Sequence, residues 1–230
     1  MTQAFDAVLF DCDGVLVDSE PITNGVLQVM LADLGWQITA QDCFATFVGH
    51  AVIDQAPLIE KHTGQPVTQA WLAQFRARRD AALQARLLAV PNVHDAVTSL
   101  HASLGARIAV ASGADHGKVI LQLTKVGLLP YFEGRTFSGI EQPRNKPHPD
   151  VYLAAAQALG VPIARCAVIE DTTNGARAGV AAGAVVFGYV PDGGLSNNTV
   201  ALKAIGVEKF FKDMADLPSL LQSQQHGSAW

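Results

Sequence analysis

Short apolar runs that end on acidic residues constrain the fold of this chain more than any other feature. Ala7-Val8-Leu9-Phe10 leads straight into Asp11-Cys12-Asp13-Gly14, and Ala167-Val168-Ile169 leads into Glu170-Asp171-Thr172. A brief run that is apolar at every position reads as a strand buried on both faces, as in a parallel sheet covered by helices. From Pro91 onward such runs alternate with helical segments. A helix over 93–104, with Asn92 as N-cap and Gly105 as its stop, precedes a strand over 107–111. A helix over 115–125 ends before Gly127, and another covers 149–159. A strand over 166–169, a helix over 174–182 and a strand over 185–190 complete the pattern. Regular alternation of this kind predicts an α/β fold built on a doubly wound parallel sheet.

Residues 20–86 differ in character, with helical signals and almost no strand-like run. A helix over 20–34 stops at Gly35, a residue suited to the C′ position. Thr39-Ala40-Gln41-Asp42 resembles a capping box, with Asp where Glu or Gln is usual. A third helix is expected over 53–62, ending at Gly64, and a fourth over 68–87, rich in good helix formers. The simplest organisation is a core of 1–18 plus 88–230, interrupted by an all-helical insert at 19–87. An insert entering just after the first strand is placed to act as a lid, with Pro21 and Pro91 limiting its two linkers to a hinge.

Composition narrows the function classes. The chain has 230 residues, 49% of them hydrophobic and 16% charged, which is globular rather than disordered. Its net charge of −5 argues against nucleic acid as partner. Cys12, Cys43 and Cys166 lack metal-site spacing and read as reduced core thiols. No segment reaches the roughly 18 apolar residues of a membrane span. Met1-Thr2-Gln3-Ala4 carries no basic leader, so a cytoplasmic setting is expected, and the polar stretch 222–228 reads as a frayed tail.

In an open α/β sheet, ligands bind in the crevice beyond the carboxyl ends of the strands. Asp11, Asp13, Glu170 and Asp171 all fall there. Four carboxylates call for a cation, and a hard, oxygen-seeking ion such as Mg2+ suits them. Asp11 is the candidate nucleophile, able to form an aspartyl phosphate. Asp13 is a candidate acid and base, with Gly14 letting the backbone turn away. Ser112-Gly113 stands between a strand and a helix, where a hydroxyl and free amides suit an anion. Lys146 precedes a helix and can neutralise a transferring phosphoryl group. Taken singly, each has an ordinary alternative: a turn at Asp11–Gly14, a helix cap at Ser112 or Asp171, a solvated lysine at 146.

Taken together and in order, these residues resemble the haloacid dehalogenase-like phosphatase superfamily. Its first motif, Asp-x-Asp-Gly-x-(Leu/Val)-x-Asp-Ser, stands here as Asp11-Cys12-Asp13-Gly14-Val15-Leu16-Val17-Asp18-Ser19. Ser112, Lys146-Pro147 and Glu170-Asp171 match the second, third and fourth. The helical insert is similar to the cap of the subgroup that holds β-phosphoglucomutase. The resemblance implies a Rossmann-like core and Mg2+ as cofactor. Asp11 would serve as nucleophile and metal ligand, and Asp13 as acid/base and, through its carbonyl, metal ligand. Ser112, Gly113 and Lys146 would hold the phosphoryl group. Asp171 would ligate the metal directly, and Glu170 directly or through water.

Within such a family several reactions compete. A dehalogenase lacks the second acid, which Asp13 supplies, and a phosphonoacetaldehyde hydrolase wants a Schiff-base lysine where the insert offers only Lys61. A hexose-phosphate mutase carries a His five positions after the motif's terminal Asp, and a Lys-Gly-x-x-Arg loop. Thr23 and Val48-Gly49-His50-Ala51-Val52 stand at those places. Hydrolysis of a small sugar, polyol or sugar-acid phosphate is therefore the expected reaction. A non-enzymatic binder of Mg2+ and a phosphorylated ligand would need neither Asp11 nor Asp13. His50 either reaches the substrate from the insert or is an exposed loop histidine of no consequence, and the protein is expected to act as a monomer or weak homodimer.

Overall fold

Among the described residues, six strands, every pair parallel, build one sheet in the order β3-β2-β1-β4-β5-β6. They are β1 (Ala7–Phe10), β2 (Ile108–Ser112), β3 (Thr136–Ser138), β4 (Cys166–Glu170), β5 (Val185–Tyr189) and β6 (Lys209–Phe211). The computed structural model describes residues 5–192 and 199–223. Met1–Ala4 and the tail from 224 onward, where a leader and fraying were considered, lie outside the described residues. Gln222 and Ser223 still belong to the last helix.

Register explains why the acids meet. Phe10 of β1 lies beside Val110 of β2 and beside Ile169 of β4. The carboxyl ends of these three strands are therefore level, and the residues that follow leave the sheet at one edge. Winding goes from β1 toward β3 on one side and from β4 toward β6 on the other. Its direction reverses at β1, the position where open α/β sheets bind ligands.

The chain divides into two compact units, residues 18–88 and residues 1–17 with 89–230. The first unit is helical: α1 (Glu20–Asp33), α2 (Ala40–Phe47), α3 (Ala56–Thr63) and α4 (Gln69–Arg86). Its core joins Leu27, Met30 and Leu31 of α1 to Cys43 and Phe47 of α2, Ile59 of α3 and Phe75 of α4. Thr39 caps α2, accepting from the Asp42 amide at 3.1 Å. The shorter Asp side chain takes the Thr39 hydroxyl at 2.6 Å instead of reaching back to an amide. The helix expected over 53–62 is two pieces. Val52–Gln55 is a 3₁₀ turn, and α3 starts afresh at Ala56, with Pro57 in its first turn where no amide is needed.

In the second unit the sheet is covered by α5 (Val93–Leu104), α6 (His116–Lys125), α7 (Leu129–Phe132), α8 (Asp150–Ala158), α9 (Thr173–Ala182), α10 (Thr199–Ala204) and α11 (Leu217–Ser223). Leu9, Ala109 and Val168 of the central strands share a buried core with Val151, Tyr152 and Ala155 of α8 and Ala176 and Ala178 of α9. Phe10 meets Phe132 of α7 edge to face at 5.9 Å. Each buried Leu, Val or Phe in such a core is worth about 1.5–3 kcal/mol over exposure. Asn92 precedes α5 but does not cap it with its side chain. It adopts a left-handed φ of 63°, and its amide donates to Asp213 Oδ1 at 2.8 Å. Among the described residues, no helix is long and apolar enough to cross a membrane.

Candidate active site

Asp11 is the first residue past β1, and Glu170 and Asp171 end and follow β4. The sheet register brings one carboxylate oxygen from each within 4.8 Å of the others, with all three residues buried. Two glycines make room. Gly14 has φ 79°, and a Cβ there would overlap the Asp171 carboxylate. A Cβ on Gly175, in the first turn of α9, would overlap Glu170. Close approach of backbone to carboxylate is therefore built into both loops.

Lys146 ties this cluster together. Its Nζ donates to Asp11 Oδ1 and to Glu170 Oε1, each at 2.7 Å. Burial pushes the Asp11 carboxyl up to about 7, with Lys146 opposing and the Glu170 and Asp13 charges adding. Burial likewise opposes the ammonium charge, but Asp11 and Glu170 outweigh it and hold Lys146 well above the usual lysine range. Glu170, fully buried, accepts from the Tyr152 hydroxyl at 2.8 Å on the same oxygen. Its other oxygen accepts from the amides of Asp171 and Thr172 and from the Thr172 hydroxyl. That saturation makes Glu170 the anchor of the cluster.

Asp13 follows a different path. Its Oδ1 accepts from Lys118 Nζ at 2.7 Å and from Gln122 Nε2 at 2.8 Å, both on α6. Its side chain is not part of the Asp11–Glu170–Asp171 cluster. Cys12, between the two aspartates, is a buried thiol that donates to Gln122 Oε1 at 3.4 Å. Burial, together with Asp13 and Asp11, holds its pKa well above the usual range, so it stays a thiol. Cys43 and Cys166 are buried free thiols too.

Ser112 closes β2, and its Oγ accepts from the Ala114 amide at 3.1 Å. Asp115, not Ser112, caps α6, accepting from the Lys118 amide at 2.9 Å. Asn145 links the Ser112–Gly113 loop to the lysine. Its Nδ2 donates to Gly113 O at 2.9 Å, and its Oδ1 accepts from the Lys146 amide at 2.8 Å. Asp11, Asp13, Ser112, Gly113, Lys146, Glu170 and Asp171 thus all lie at one edge of the sheet or in the loops beside it. His50 is an exposed residue of the helical unit, one position past Gly49.

Reading the chain alone missed Lys118, Gln122, Asn145 and Tyr152. Lys118 and Gln122 share the inner face of α6 with Val119 and Leu123. A Lys and a Gln at i, i+4 on an apolar stripe are the signal that was available.

Three carboxylates converge here on the single ammonium of Lys146, while Asp13 and Lys118 offset each other, leaving two formal negative charges in a buried setting. Such an excess is costly without a cation. The donors are all oxygen, which suits a hard divalent ion.

Known proteins resemble this chain in sequence and in fold. A family model described as a haloacid dehalogenase-like hydrolase matches residues 5–183. The 6-phosphogluconate phosphatase of Escherichia coli K12 is 28% identical over 81% of this chain and 83% of its own length. Hexitol phosphatase B of the same organism is 31% identical over 76% of this chain and 79% of its own. A haloacid dehalogenase family hydrolase of Deinococcus radiodurans, solved with bound phosphate and sodium, superposes with a TM-score of 0.77. It is 32% identical, over 96% of both chains. The chain belongs to the haloacid dehalogenase-like hydrolases, among the phosphatases of that family.

Proposed function

We propose that this protein is a Mg2+-dependent phosphomonoester hydrolase that works through an aspartyl phosphate on Asp11. One observation carries the reading: Asp11 stands at the end of the central strand, with Lys146 Nζ at 2.7 Å and the Glu170–Asp171 carboxylates beside it. An Asp11 oxygen attacks phosphorus and the bond from phosphorus to the ester oxygen breaks. Asp13, protonated for this step, gives its proton to the departing alkoxide. The carboxylate it becomes then takes a proton from the water that attacks the aspartyl phosphate, releasing phosphate and restoring Asp11. Lys146 neutralises charge on the phosphoryl oxygens, and Ser112 with the Gly113 amide orients them. Asp11, Asp171 and the Asp13 carbonyl would hold Mg2+, with Glu170 anchoring them through Lys146. When bound, the ion offsets the negative charge of nucleophile and phosphoryl group, which otherwise repel.

The substrate class is a small sugar, polyol or sugar-acid phosphate, supported by the activities named for the two Escherichia coli relatives. Phosphate in the Deinococcus radiodurans hydrolase supports the ligand chemistry. The proposal includes a reducing cytoplasmic setting, in keeping with three buried free thiols, and a monomer or weak homodimer.

The test is phosphate release across some dozens of phosphorylated metabolites, with Mg2+ or with EDTA. Mg2+-dependent release from sugar, polyol or sugar-acid phosphates is expected. Asp11→Asn should abolish it, a loss on the order of 10⁶-fold. Release that persists in EDTA or in Asp11→Asn overturns the assignment.

A further inference from the structure

We infer that Lys118 and Gln122 of α6 are positioning residues for the reaction: together they clamp the Asp13 carboxylate in the orientation from which it exchanges protons with the leaving group and the water. The inference rests on Asp13 being the acid and base.

Lys118 and Gln122 lie one helical turn apart on the inner face of α6, between Val119 and Leu123. Core packing alone would favour apolar side chains at both positions, because a buried ammonium must recover its lost hydration. Lys118 is 6% exposed and Gln122 is fully buried, yet both donate to the same oxygen, Asp13 Oδ1, at 2.7 and 2.8 Å. The Gln122 amide is itself held in place. Its Oε1 accepts from Cys12 Sγ at 3.4 Å, so its Nε2 faces Asp13. Asp13 belongs to the loop after β1, which is tied by isolated bridges at Asp13–Val17 and Val17–Ala89. The two donors on α6 add contacts to the Asp13 side chain that those backbone bridges do not make. About 14% of the Asp13 side chain stays exposed, which leaves the carboxylate open to a reactant while Oδ1 is fixed. Fixing a catalytic group in this way matters because small misplacements lose large factors in rate.

The experiment measures kcat and KM with Mg2+ for the native chain, Lys118→Met, Lys118→Arg, Gln122→Leu, Asp13→Asn and Lys118→Met/Asp13→Asn. One substrate is 6-phosphogluconate, or the best alkyl phosphate from a screen; the other is p-nitrophenyl phosphate. Thermal unfolding checks each variant's fold. Lys118→Met should lower kcat on the alkyl phosphate by about 10- to 100-fold, with KM within about twofold. On p-nitrophenyl phosphate the initial burst of p-nitrophenolate should be nearly unchanged, since that leaving group needs no proton, while steady-state turnover falls because the water step still needs Asp13. Gln122→Leu should show the same pattern more weakly, and Lys118→Arg should recover part of the rate. In the Asp13→Asn background, Lys118→Met should cost little more, because the residue it positions is already disabled. A p-nitrophenolate burst slowed as much as turnover of the alkyl phosphate, a loss confined to KM, or a full additional loss in the double variant would overturn the inference. Should Lys118→Met fail to fold, Gln122→Leu and Lys118→Arg decide by the same split between burst and steady-state turnover. Full activity of Asp13→Asn alone would instead overturn the reading of Asp13, a distinct failure.

Discussion

The carboxylates at the two sides of the crevice are held in opposite ways. Beyond β4, Glu170 takes three of its donors from the next two residues in the chain, the amides of Asp171 and Thr172 and the Thr172 hydroxyl. Beyond β1, Asp11 and Asp13 are held by partners far away in sequence: Lys146, Lys118 and Gln122. The β4 side is organised by its own turn, whereas the β1 side exists only once α6 and the loop before α8 have packed. A group held by its own turn should tolerate the loss of any one of those local donors. A group held from afar should not.

The largest expected contrast lies at the β1 side. Asp13→Asn should lower turnover by about 10²- to 10⁴-fold while leaving Mg2+ affinity near native, measured by kinetics and by metal titration. Lys146→Met comes next, with a loss on the order of 10²- to 10³-fold in kcat. It also strips Asp11 and Glu170 of a buried countercharge, so urea unfolding without metal should show about 3–5 kcal/mol of lost stability. Added Mg2+ should recover part of that stability.

Tyr152→Phe removes one neutral donor from Glu170 and should cost about 1.5–3 kcal/mol by the same measurement. Thr172→Val tests the locally organised side. It removes a donor to Glu170 and the acceptor for the Gly175 amide, yet two backbone amides still hold the carboxylate. A loss of about 1 kcal/mol with turnover nearly native is expected. A larger effect than that of Tyr152→Phe would break the comparison.

The smallest effect is at the exposed Asp6–Arg165 pair, where the Arg165 hydrogen bond holds the Asp6 carboxyl below its ordinary range. A lowered folded-state pKa stabilises the fold above the unfolded value, about pH 4, and this contribution fades as pH falls through the folded value. Asp6→Asn should therefore flatten the acid side of the stability curve slightly, with less difference in high salt.

What could be read from the chain follows the same division. The sheet and its acid-bearing strand ends were legible because Ala7–Phe10 and Cys166–Glu170 are apolar runs with strong strand character. The edge strands β3 and β6, three residues each, were not, because Thr136–Ser138 and Lys209–Phe211 are too short to show a period. Ser112, Lys146 and the four acids carried motif spacing. Lys118 and Gln122 did not, since a helix reads as apolar or polar by periodicity and says nothing of a partner a hundred residues away, and Tyr152 reads as one more core residue of α8. The start of α3 at Ala56 has a local signal in Pro57, which suits the first turn of a helix and not its interior.

The central claim is that Asp11 carries the phosphoryl group during turnover. Asp13→Asn should slow breakdown of that intermediate while still allowing p-nitrophenolate to leave. Mixing this variant with Mg2+ and p-nitrophenyl phosphate, quenching in acid and mapping the peptides by mass tests the claim directly. The account predicts one added phosphoryl group on the peptide that contains Asp11, absent when Asp11 is also changed to Asn. Phosphate release with no label on that peptide, or label that survives the loss of Asp11, would contradict it.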